Sequence, residues 1–128
     1  MDYLLFVSNR NLFLEIVIQL YERCLQKLME EVNKKAIRQN WSFLIQNIDI
    51  ISLTDCLRED NTLTDDMCEQ IEVERTTRDK ISTFLTIIMR RGPHAFDKLV
   101  QGLKKTDQTF IAEKLLQSVH NTPVQASS

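Results

Sequence analysis

The sequence predicts an all-α fold: a six-helix antiparallel bundle with an extra N-terminal helical segment. Three observations predict it. Glycine and proline occur only twice each in 128 residues, far fewer than the turns of a sandwich or barrel require. Apolar residues recur at three- and four-residue steps through most of the chain, which is the period of a helix. The periodic segments are separated by only a few polar residues, so neighbouring helices must pack antiparallel or at steep angles. The chain has one domain's length. At 43% hydrophobic and 27% charged residues it can build a core of its own.

Residues 1–28 stand apart. Their apolar runs, Tyr3–Val7, Leu12–Leu14 and Ile16–Ile18, invite comparison with a signal peptide or anchor. Asp2 replaces the basic start a signal peptide has, and Ser8, Asn9, Arg10, Asn11 and Glu15 interrupt the apolar stretch. The longest unbroken run there is five residues, against about 20 for a spanning helix. Neither export nor membrane insertion is expected. Two readings of the segment stand. Residues 12–28 form a helix with apolar residues on more than one face, which must then be buried against something. Alternatively, residues 1–28 are an extension ahead of a misassigned start, since the recognisable pattern begins at Met29.

A domain is expected over 29–119. Val32, Ala36, Ile37, Trp41, Leu44, Ile45 and Ile48 mark one face of its first helix. Ile50, Leu53, Thr54 and Leu57 mark a shorter second helix, ended by the polar turn Arg58-Glu59-Asp60-Asn61. Thr64 can cap a third, with Asp65 and Asp66 in its favourable first turn and Met67, Cys68 and Ile71 facing inward. Thr76-Thr77 opens the fourth, whose Ile81, Phe84, Leu85, Ile88 and Met89 give the strongest helical signal in the chain. Gly92-Pro93 ends that helix and starts the fifth, which buries Phe96, Leu99, Val100 and Leu103. Thr106 can cap a sixth, with Phe110, Ile111, Leu115 and Val119 inward. Residues 120–128 lack periodicity and read as a disordered tail.

The net charge of -2 conceals segregation. Residues 49–74 carry nine acidic side chains and one basic, Arg58; residues 75–105 carry eight basic and two acidic. A molecule with opposite fields on two faces favours head-to-tail approach, and such contacts build open assemblies when they do not close into a ring. The acidic block repels phosphate, and Phe84 and Phe96 lie on core faces, so no nucleic-acid partner is expected. Cys24, Cys56 and Cys68 are too few and too scattered for a disulfide framework and read as reduced packing thiols. No metal, cofactor or catalytic residue is expected: there are two histidines, no Cys/His cluster and no Gln-Ala-Cys-x-Gly signature.

Arg90-Arg91-Gly92-Pro93-His94-Ala95-Phe96-Asp97-Lys98-Leu99, preceded by Phe84-Leu85-Thr86-Ile87-Ile88-Met89, resembles the Arg-Gly-Pro-x-Ala-Phe junction of the caspase recruitment domain (CARD). The resemblance covers roughly residues 30–118 and is of the initiator-caspase and adaptor type, most similar to the CARDs of caspase two and RAIDD. Asn61-Thr62-Leu63-Thr64 sits where the family often has an Ile-Leu-Thr turn. The resemblance implies a death-fold bundle whose first helix is often kinked. It also implies homotypic binding, in which a basic surface of helices one and four meets an acidic surface of helices two and three.

By position, the acidic surface would use Asp55, Glu59, Asp65, Asp66 and Glu69. The basic surface would use Lys34, Lys35, Arg38, Arg75, Arg78 and Lys80. Two interface arginines of the caspase-nine type fall here on Trp41 and Ser82, and Trp41 lies on the apolar stripe. The resemblance thus implies a non-catalytic, cytoplasmic module that recruits another CARD protein, an initiator caspase or adaptor, in apoptotic signalling. Head-to-tail self-assembly is a further expectation. The alternatives are a prodomain whose protease domain is not in this chain and a CARD-only decoy.

Overall fold

The computed structural model describes residues 2–121, and side chains from Leu12 onward except Pro93. Seven helices follow in order: α1 (Asp2–Gln39), α2 (Trp41–Asn47), α3 (Ile50–Glu59), α4 (Asp65–Glu72), α5 (Thr77–Arg90), α6 (Pro93–Lys105) and α7 (Thr109–Asn121). No strand occurs among the described residues.

The expected first helix is split, and α1 and α2 are its two parts. Asn40 lies buried on the apolar stripe. Its Nδ2 donates to the Ala36 carbonyl at 2.8 Å and to Ser118 Oγ at 2.7 Å. A side chain that competes for helical carbonyls loosens the backbone ladder, and here it also ties the bend to α7. Trp41 starts α2 and packs, half-buried, against the core.

The remaining helices start and stop for local reasons. Thr64 Oγ1 accepts from the Met67 N–H at 3.2 Å, and Thr76 Oγ1 from the Asp79 N–H at 3.0 Å, satisfying free donors at the starts of α4 and α5. Asn61 takes a left-handed conformation, φ 61°, that lets the chain leave α3. Gly92, at φ 101°, stands where an L side chain would be strained, between the end of α5 and Pro93.

The sixth predicted helix needs correction. Thr106 ends α6 instead of capping α7: its hydroxyl donates to the Gly102 carbonyl at 2.8 Å. Asp107 turns the chain with φ 61°, and the carbonyl of Gln108 receives the Ile111 and Ala112 N–H groups that open α7. Phe110, expected inward, is exposed and meets Phe43 edge to face at 6.2 Å. α7 runs on through His120 and Asn121, two residues read as tail; the rest of that tail lies outside the described residues.

α5 lies at the centre, packed on α2, α3, α4 and α6, while α7 packs on α1 and α6. Phe84, Leu85, Leu44, Leu53, Leu57, Leu99, Leu103 and Leu115 are fully buried among them. Gly102 lets α6 approach α3: a Cβ there would lie 3.0 Å from Leu53 Cδ1 and 3.2 Å from Leu57 Cδ2.

Residues 12–28 are helical, as one reading expected, but they are buried against nothing among the described residues. They continue α1 without a break, and the bundle covers the helix only from about Glu30 onward. No helix among the described residues is long and apolar enough to cross a membrane.

Candidate protein-interaction surfaces

The acidic residues occupy two consecutive helices. Asp55 and Glu59 project from α3, and Asp65, Asp66 and Glu69 from α4; all five are exposed. The inward residues of the same helices, Leu53, Leu57, Cys68 and Ile71, fix their rotation. The acidic side chains therefore face water because the apolar ones cannot.

Asp65 differs from the rest. Arg58 Nε and Nη2 both reach its Oδ1, at 3.1 and 3.0 Å. That hydrogen bond, with the carboxylate's charge, holds the Arg58 guanidinium above its ordinary pKa. Asp65 thus has a partner within the molecule, whereas Asp55, Glu59, Asp66 and Glu69 have no ion pair among the described residues. Sequence spacing gave no sign of this, because Arg58 and Asp65 lie on different helices. Burial raises the Cys68 thiol's pKa, and nearby Glu72, Asp65 and Asp55 push the same way against Arg58.

The basic residues come from two stretches of the chain, α1 and the start of α5. Lys34 lines a crevice with Glu30, Ile88, Met89 and Gly92, at the C-terminal end of α5. Lys35 and Arg38 are exposed on α1. Arg75, Arg78 and Lys80 lie at the other end, around the start of α5. Met89, beside Lys34, lies eleven positions after Arg78, roughly 16 Å along the helix axis at 1.5 Å per residue. Lys80 lines one groove with Asp55 and Glu72, between α3, α4 and α5, so it borders the acidic surface.

A third polar surface escaped sequence reasoning. Asp60, Asn61 and Thr62 of the α3–α4 turn line a groove with Arg91, His94 and Lys98. Arg91 Nε donates to the Thr62 carbonyl at 3.1 Å, and Lys105 Nζ lies 3.9 Å from Asp60 Oδ1. The signal was the Arg90–Lys98 charge run, but only the fold brings it to the α3–α4 turn.

These features define a helical bundle with outward charged surfaces. Among the described residues no group of three metal-ligating side chains converges. The caspase recruitment domain family matches residues 34–118, and the chain belongs to that family. It is similar to Caspase-2 of Gallus gallus, at 26% identity over 90 residues, which make up 70% of this chain and 21% of the relative. The chain therefore spans about a fifth of that relative's length. A CARD is a non-catalytic domain of apoptotic, caspase-linked signalling, and it binds other CARDs homotypically.

Proposed function

We propose that this chain is a non-catalytic cytoplasmic module that recruits an initiator caspase or an adaptor through CARD–CARD contact. The exposed, internally unpaired carboxylates on α3 and α4 carry this reading. They offer a field that steers a basic partner surface and penalises a like-charged one. Arg75 and Arg78 offer the opposite field to a second neighbour, which supports head-to-tail assembly.

Asp66→Lys with Glu69→Lys tests it. Neither residue has an ion pair among the described residues, so the fold should lose only the helix-terminus contribution of Asp66, about 0.3–1 kcal/mol or a few degrees of melting temperature. Binding to a basic-faced CARD should fall at least about tenfold, since losing a charged contact at an interface costs about 2 kcal/mol or more. Unchanged affinity at physiological salt would remove the acidic surface from the mechanism. A second reading, that the chain is the prodomain portion of an initiator caspase, draws support from the match to part of a caspase. Mass measurement of the native protein in cell extract separates the two.

A further inference from the structure

The part of α1 that precedes the bundle carries a face that no other element covers among the described residues. Eleven large apolar side chains between Leu12 and Met29 stand 42–68% exposed. Leu14, Ile18, Tyr21, Leu25 and Leu28 follow at alternating four- and three-residue steps, the spacing that lines one seam of a helix packed on another helix. Glu15, Gln19, Glu22 and Gln26 follow the same steps around the helix from that seam. The polar strip borders the seam along most of the segment's roughly 27 Å, at 1.5 Å per residue, while Leu12 and Ile16 lie on the far side.

Its apolar side is large. At roughly 100 Å² apiece, the eleven side chains present on the order of 1,000 Å². The largest apolar patch of an ordinary monomer is only about 300–600 Å². Covering half of that surface on each of two chains removes on the order of 1,000 Å² from water, the least a specific interface needs.

We propose that a second copy of this chain covers this face with its own, so that two N-terminal helices pair outside the bundles. A lipid surface fits the helix less well. Helices that lie on membranes present a polar side rich in lysine and arginine, whereas Glu15, Glu22 and Glu30 here outnumber Arg23 and Lys27. Mixed signs are what the flanks of paired helices carry. The pairing makes no use of the charged surfaces of the bundle, so it stands or falls apart from the recruitment reading.

Sedimentation equilibrium of the full chain at micromolar concentration tests it. The expected result is a defined oligomer with at least twice the 15.0 kDa chain mass. Ile18→Glu with Leu25→Glu, both outside the bundle, should weaken the association at least about 100-fold, as loss of two central anchors does. The double variant should keep the bundle's melting transition, and Asp66→Lys with Glu69→Lys should still associate. Four results overturn the proposal: a wild-type monomer, a double variant that still associates once Asp66→Lys and Glu69→Lys are added to it, heterogeneous aggregation, or a monomer that sediments with phosphatidylcholine and phosphatidylserine vesicles.

Discussion

Single side chains decide more here than their number suggests. Gln108 is buried and ties two junctions together: its Oε1 accepts from the Asp49 N–H at 2.7 Å, and its Nε2 donates to Thr106 Oγ1 at 2.7 Å. Gln108→Ala strands the Asp49 amide. It should cost about 1–3 kcal/mol, read by urea titration as a lower midpoint at unchanged slope; an unaltered midpoint refutes the role. Cys68 gives a pH-dependent expectation. Burial raises its thiol pKa, so less thiolate exists at any pH near neutrality, and the thiolate is the reactive form. Iodoacetamide should label Cys68 far more slowly than exposed Cys24, and only strongly alkaline buffer or denaturant should close the gap. The sign for stability follows: the folded state prefers the neutral thiol, so this contribution is full below the thiol's ordinary pKa and is lost as pH rises through the raised one.

At the scale of elements, α3 to α6 were legible almost residue by residue. Each has an apolar stripe of helical period, and most have a punctuating residue at the start: Thr64, Thr76 and Pro93 all stand where sequence reasoning put them. The Thr106 cap was misread, and the break in the first helix was expected from the family resemblance but not located; both have one cause. Asn40 and Thr106 sit next to apolar stripes, and whether such a residue bends, caps or ends a helix depends on a distant partner. For Asn40 that partner is Ser118, which no local pattern shows. The candidate surfaces were legible as charge blocks, whereas their internal contacts were not. Helical phase gave the exposure of Asp55 and Glu59, whereas the Arg58–Asp65 pair and the position of Lys80 beside Asp55 depend on how α3, α4 and α5 pack. The α3–α6 crossing offers its own test. Gly102→Val forces side-chain atoms into Leu53 and Leu57 and should destabilise the bundle by about 1–3 kcal/mol. For a domain of this size each kcal/mol lowers the melting temperature by about 4–8 °C. Gly102→Ala should cost less, because the leucine tips need yield only a few tenths of an ångström.

The whole molecule is a bundle with a helix standing out of it. Among the described residues, all the buried apolar ones fall between Ala36 and Leu115. Removal of residues 1–28 should therefore leave a cooperatively melting domain, with a midpoint within a few degrees of the full chain. Calorimetry checks this, and loss of the transition would show that the projecting helix supports the bundle after all. The same truncation should abolish oligomers built on that helix while leaving CARD binding in place. Sequence reasoning found this helix but expected it to be covered, because a segment so apolar rarely faces water. That expectation points outward: within the described residues the covering surface is not in the same chain.

The packing of α7 on α1 also sets an order of events. On the ribosome the buried Ala36 and Ile37 of α1 emerge early, and the buried Ile111 and Leu115 of α7, the helix packed on α1, emerge late. At about 5–20 residues per second, the first helix waits roughly 4–16 s for the element that closes over it. Stalled chains ending before Gln108 should be open to protease, and chains extended well beyond Asn121 should resist it. A bundle closed by its last helix leaves apolar faces open for most of its own synthesis, the condition that invites aggregation and chaperone binding, until α7 has emerged.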